Sequence, residues 1–163
     1  MDIRYVSQND DLFEISDIYE QSWKYAYNGI IPQDYLASIP KGRWCNTVKR
    51  EGFNSLVAVE NDKLIGTLGF CSSRWENYST YGEIVSIYLI PEYIGKGIGQ
   101  KLFDAGILEL KKQGYTDILL WVLEDNIRAR RFYEKNGFTP NNEKLVDNIG
   151  GKDLTEIMYI RHI

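Results

Sequence analysis

A chain of 163 residues, 44% hydrophobic and 26% charged, can bury one core without a metal or disulfide, and residues 1–163 are expected to fold as a single domain. The formal charge of −4 gives nucleic acid no basic footprint beyond a local cluster at Arg128, Arg130 and Arg131, and no run of about 18 apolar residues exists to cross a membrane. Cys45 and Cys71 are isolated and the only histidine is His162, which argues against a zinc site and against Ser-His-Asp or Cys-His hydrolase chemistry. Met1 to Ser7 carries Asp2 and Arg4 without an apolar core, so a cytoplasmic protein with a cationic partner is expected.

In chain order, Ile3 to Val6 reads as a short strand, and Leu12, Ile15, Ile18, Tyr19 and Ser22 follow helical spacing out to about Tyr25. Gly29 and Pro32 end that helix and start a second helical stretch, Gln33 to Arg50, broken near Pro40. Ser55 to Glu60 and Lys63 to Cys71 are strands joined by Asn61 and Asp62 as a hairpin, and a further strand runs from Tyr81 to Ile90 and stops at Pro91. Leu102, Phe103, Ile107 and Leu110 mark a helix from Gly97 to about Gln113, with Lys111 and Lys112 in its last turn and Gly114 at its stop. Asp117 to Val122 is a nearly continuous apolar strand. A short helix, Asn126 to Asn136, closes at Gly137, and strands cover Phe138 to Leu145 and Leu154 to Arg161.

Two segments carry chemistry. Between the strand ending at Ile90 and the helix at Gly97 lies Gly95-Lys96-Gly97-Ile98-Gly99-Gln100. Glycines let the backbone approach an anion, the first N–H groups of the helix lack partners, and its dipole favours a phosphate; Lys96 adds charge at the rim. The pattern is GxGxG, not the GxGxxG of dinucleotide folds, and the Walker pattern is absent. Asn126 and Tyr133 are seven residues apart, two helical turns, and so share a face with the small Ala129 between them. Taken alone, Asn126 is equally an N-cap and Tyr133 a core aromatic.

The runs IVSIYLIPEYIGKGIGQKL and NIRARRFYEKNGF together resemble the GNAT superfamily of acyl-CoA N-acyltransferases. The first is similar to its pyrophosphate-binding motif. The second matches its Asn-x-x-Ala-x-x-Phe-Tyr-x-x-x-Gly-Phe motif at Asn126, Ala129, Phe132, Tyr133, Gly137 and Phe138. The resemblance implies an α/β (α+β) fold, with a central mixed, mostly antiparallel sheet of about six or seven strands flanked by helices. It also implies a splay between the strands at 81–90 and 117–122. One departure is visible, since Ile94 stands where the family has Gln or Arg before the glycine loop, and weaker cofactor binding is expected from it.

The resemblance assigns acetyl-CoA as cosubstrate, with no metal. The pantetheine arm would pair with the backbone of Ile87, Tyr88 and Leu89, and the diphosphate would sit on Gly95, Lys96, Gly97, Ile98, Gly99 and Gln100 beside Asn126. A backbone N–H near Leu89 would stabilise the thioester oxygen. Tyr133 would stand beside the sulfur as proton donor or hydrogen-bond donor. A neutral amine must attack, which costs a lysine-like amine about 4 kcal/mol at neutral pH, so a base helps; Glu83, acting through water, is the candidate. The acceptor would enter over Trp23 to Tyr35 and the final hairpin loop, Leu145 to Lys152. Trp23, Tyr27 and Tyr35 are candidates for holding an ammonium by cation–π contact, or equally for packing the helices.

A small amine such as a polyamine, an amino acid or an aminoglycoside is the expected acceptor. A protein N-terminus or lysine, and a non-catalytic acyl-CoA sensor, stay open, as does the oligomeric state, a homodimer included.

Overall fold

Period-two alternation of apolar side chains lays down seven strands, and helical periodicity supplies the layers on both faces, in a computed structural model that describes residues 1–163. In chain order these are β1 (Asp2–Tyr5), α1 (Leu12–Ala26), α2 (Gln33–Ala37), α3 (Cys45–Val48), β2 (Asn54–Glu60), β3 (Lys63–Ser72), β4 (Gly82–Leu89), α4 (Ile98–Lys112), β5 (Asp117–Leu123), α5 (Ile127–Lys135), β6 (Thr139–Ile149) and β7 (Lys152–His162). Short 3₁₀ turns at Glu76–Tyr78 and Pro91–Tyr93 bracket β4. No helix is long and apolar enough to cross a membrane.

The strand order is β1-β2-β3-β4-β5-β7-β6. Every neighbouring pair is antiparallel except β4 and β5. That parallel pair holds only at Gly82 with Ile118 and Glu83 with Leu119, after which the strands part. The mixed, mostly antiparallel sheet with a splay at this point is the fold expected from the sequence.

Local chemistry explains the turns. Asn61 and Asp62 both adopt positive φ, 50° and 60°, which is the backbone of a two-residue hairpin with a right-handed twist, and they join Glu60 directly to Lys63. Asp11 caps α1 by accepting from the Phe13 N–H at 2.8 Å.

Several element bounds differ from the sequence reading, and one strand is irregular. The stretch 33–50 is two short helices, because residues 41–44 take turn geometry around Gly42, which has a φ of +78°. β6 continues to Ile149 and β7 begins at Lys152, so the final loop is only Gly150-Gly151 rather than residues 145–152. Its strand residues are exposed and polar on an edge, which hides the alternation that marks a buried strand. β4 carries a bulge: Gly69 pairs with Ser86 and Phe70 with Ile84, leaving Val85 over.

Two cores lie on opposite faces of the sheet. Leu102, Phe103 and Leu110 of α4 pack with Phe70, Ile84 and Phe138 on one face. Ile15, Ile18 and Tyr19 of α1 pack with Leu36, Trp44 and Val57 on the other. Each fully buried Leu, Ile or Phe contributes about 1.5–3 kcal/mol, so both helical layers are fixed to the sheet, and the gap between β4 and β5 is held open between them.

Candidate active site

The splay supplies the cavity. Beyond Glu83, one edge of β4 has no strand partner, while its other edge pairs with β3 through Leu68 to Ile87, Thr67 to Tyr88 and Gly66 to Leu89. Backbone polar groups of the Ile87–Leu89 segment therefore face an open slot, which is the condition for an extended ligand to add as a strand. A cavity of about 540 Å³ occupies the slot and passes from the glycine loop, through the gap, to the α1 face.

At its upper end, Gly95 and Gly97 have φ of +81° and +78°, and neither has an atom within 4 Å of the position a Cβ would take. Positive φ disfavours any side chain at these two positions. None of the backbone N–H groups from Gly95 to Gln100 donates within the chain, and Ile98 opens the fifteen-residue helix α4. A row of free donors at a helix start is a built anion cradle, which fits a diphosphate.

The side chains around the cradle do less. Lys96 Nζ lies 5.0 Å over the Tyr93 ring. Gln100 Nε2 donates to Asn136 Oδ1 at 2.6 Å, so only its backbone is offered to a ligand. Ile94 and Gly99 line the cavity itself.

α5 places its two expected residues on the wall facing β4. Asn126 Oδ1 caps the helix by accepting from the Ala129 N–H at 3.1 Å, yet the same side chain lines the cavity, so the capping and binding readings coexist. Tyr133 stands against Phe103 and Phe132, ring centroids 5.9 and 5.6 Å away, with its hydroxyl free of any protein partner. Burial, with the phenol of Tyr88 nearby, raises its pKa well above the ordinary tyrosine value, so the hydroxyl keeps its proton.

On the α1 face, Tyr19, Trp23 and Tyr27 recur every four residues and turn one helical stripe toward the slot. Trp23 Nε1 donates to Tyr88 Oη at 3.0 Å, and the Tyr27 ring meets Trp23 edge-on at 5.0 Å. Burial pushes the Tyr27 phenol up to about 12. Tyr35 is not brought to the cavity. It packs against Gly150 and under the Arg43 guanidinium, 5.6 Å from its ring, because α2 is too short to carry it inward.

Glu83 lies on the cavity floor, 1% exposed, where β4 still pairs with β5. The Arg74 guanidinium binds its carboxylate with Nη2 to Oε1 at 2.6 Å, and the Arg74 backbone N–H donates to Oε2 at 3.0 Å. Glu83 is thus a closed ion pair rather than a strand-end charge in water.

Among the lining residues that the sequence reading missed are Arg74, Trp75, Trp121 and Glu156. Trp75 and Trp121 form one aromatic wall, ring centroids 4.9 Å apart. Glu156 had a readable signal, since it sits between Leu154 and Met158, both buried, on alternate positions of β7. Burial raises its carboxyl pKa, Asp147 adds to the rise and Arg74 opposes it.

The comparisons agree with this arrangement. Residues 12–138 match the acetyltransferase (GNAT) family. The chain is 29% identical over 157 residues to a spermidine N(1)-acetyltransferase of Thermoplasma acidophilum, covering 92% of each protein. It is also 29% identical over 119 residues to an uncharacterised N-acetyltransferase of Bacillus subtilis, covering 72% of this chain and 69% of that one. The crystal structure of PaiA N-acetyltransferase from Thermoplasma acidophilum in complex with coenzyme A superposes with a TM-score of 0.76 at 26% identity over all of both chains. A splayed parallel pair, an anion cradle at the start of α4 and the Asn126–Tyr133 face, together with a family match over residues 12–138, make this chain a member of the GNAT family of acetyl-CoA-dependent N-acetyltransferases.

Proposed function

We propose that the chain transfers the acetyl group of acetyl-CoA to a primary amine of a small cationic acceptor, by direct attack with both substrates bound. The observation that carries this reading is the continuity of the cavity. One opening runs from Gly99 and Asn126, past Tyr133, to a pocket of Trp23, Tyr27 and Trp121 with two carboxylates, Glu83 and Glu156. Aromatic faces and acidic groups in a half-dry pocket suit an ammonium. The similarity to a spermidine N(1)-acetyltransferase supports a polyamine among the candidate acceptors.

In this reading the N–H groups of residues 95–100 hold the diphosphate, and the free edge of Ile87–Leu89 aligns the pantetheine arm, with a backbone N–H near Leu89 directed at the thioester oxygen. Asn126 contributes its unused side-chain amide to the arm. Tyr133 donates a hydrogen bond to the departing sulfur. Its raised pKa disfavours outright release of the proton to a free thiolate, so the proton passes only as nitrogen gives one up. Glu83 reaches the amine only through water, since Arg74 occupies its carboxylate. In this reading the protein works in the cytoplasm.

Thiol release measured over a panel of spermidine, putrescine, butylamine, free amino acids and a peptide with a free N-terminus tests the assignment. Turnover is expected with the small cationic amines, and Tyr133→Phe should lower kcat about 100-fold with little change in the KM for acetyl-CoA. Turnover confined to the peptide would replace the small-amine reading with a protein acceptor. Tight acetyl-CoA binding without turnover would make the chain a sensor.

A further inference from the structure

The amine-acceptor reading requires a carboxylate that can meet an ammonium at the height of the thioester, and the strand registers separate the two available ones. Glu83 is level with Leu119 of β5, while Glu156 of β7 is level with Leu123. Four β5 residues separate those levels, about 13 Å along the sheet at the usual strand rise. Glu83 therefore marks the closed foot of the splay. Glu156, on β7 at the far side of β5, stands at the height where β4 and β5 have already parted, and it lines the same cavity as Ile87, Leu89 and Tyr133.

The two carboxylates also differ in their bonding. Glu83 is held by the Arg74 guanidinium and backbone N–H, so its charge is already answered. Glu156 is half-buried on the cavity wall, and no side chain or backbone group of the protein donates to it. An unpaired carboxylate in such a place costs folding free energy, and a cationic ligand would remove that cost.

We propose that Glu156 receives the acceptor's ammonium, holding it by a direct ion pair in the slot beside Tyr27 and taking one proton from it before the nitrogen attacks the thioester. In that step one proton moves from nitrogen to a carboxylate oxygen, leaving a neutral amine with its lone pair and a neutral carboxyl. Burial raises the pKa of Glu156, which favours it as a proton acceptor. Its surroundings keep it so. Tyr27 just after α1, Tyr88 and Glu83 of β4 and Tyr133 of α5 share the cavity and carry no positive charge, while Arg50, before β2, and Arg128 of α5 also line it. Asp147 of β6 raises the pKa further, and Arg74, between β3 and β4, is the one cation that lowers it.

The proposal rests on the amine reading, and kinetics on the full chain separate the two. With butylamine and spermidine as probes, Glu156→Gln is expected to lower kcat/KM for the amine about 100-fold near neutral pH, with the KM for acetyl-CoA within about twofold of the parent. The deficit should shrink toward about pH 10, where the amine is already neutral. The melting temperature should hold or rise, since an unpaired buried charge is removed.

A variant within about threefold of the parent in amine kcat/KM, or one that loses acetyl-CoA binding or melts earlier, would overturn the role of Glu156 and leave the amine reading standing. A deficit that shrinks with pH in Glu83→Gln but not in Glu156→Gln would transfer the role to Glu83. A parent protein that acetylates no amine would remove the reading and this inference together.

Discussion

Glu83 shows how one residue's meaning depends on its partner. The sequence placed a carboxylate at the start of the central strand and suggested a base; folding brings Arg74 across it in a two-point ion pair with a third bond from the backbone. Glu83 is buried while the Arg74 side chain stays 44% exposed, so the pair is one-sided. Arg74→Met should leave a buried carboxylate without an answer and cost about 2 kcal/mol, less than a fully buried pair because Arg74 keeps contact with water. Urea unfolding at neutral pH checks this, and the double variant with Glu83→Gln should recover most of the loss. No spacing rule pairs positions 74 and 83 across an irregular loop, so the sequence could name Glu83 without foreseeing that it is occupied.

At the scale of elements, the glycine loop and α4 act as one unit. Six successive N–H groups, from Gly95 to Gln100, have no acceptor within the chain around the positive φ of Gly95 and Gly97, and the last three of them open α4, whose dipole adds to the site. All of this depends on residues adjacent in the chain, which is why the loop and the helix are legible in the sequence. The departure at Ile94 is legible there too, and its side chain does line the cavity. Ile94→Gln should add one side-chain donor to the diphosphate and tighten acetyl-CoA binding about fivefold, the worth of one ordinary hydrogen bond, as read by calorimetric titration. An unchanged Kd would mean that backbone donors alone saturate the phosphates.

At the scale of the molecule, acid should loosen the α1 side first. The Arg4 guanidinium holds the Asp10 carboxyl below its ordinary range and ties β1 to the segment that starts α1. Burial works to raise Glu20, but Lys24 and Lys41 outweigh it, and Lys41 ties α1 to the turn after α2. Both pKa values are lower folded than unfolded, so their stabilisation is present above the ordinary carboxylate range and is lost as pH falls through the folded values. Glu156, raised in the folded state, has the opposite sign: it stabilises when protonated and loses that contribution as pH rises. The melting temperature should therefore hold between about pH 7 and 5 and fall below about pH 4, a trend that circular dichroism would follow. A steady rise in stability down to pH 3 would show that these ion pairs contribute little.

The sequence by itself determined the cofactor half of this protein. A glycine loop at a helix start and an Asn-x-x-Ala-x-x-Phe-Tyr helix are local requirements of backbone and helix face, written in consecutive residues. On the acceptor side, where the resemblance suggested Trp23, Tyr27 and Tyr35, the first two line the cavity, four residues apart at the end of α1, while Tyr35 follows a turn and faces elsewhere. Only the tertiary structure decided the acceptor half. Arg74 and Glu83, Trp75 and Trp121, and Glu156 belong to separate segments that meet through strand register across the β4–β5 gap. Register is set by the packing of whole faces rather than by neighbours in the chain, so the choice between the two carboxylates exists only once the sheet is assembled.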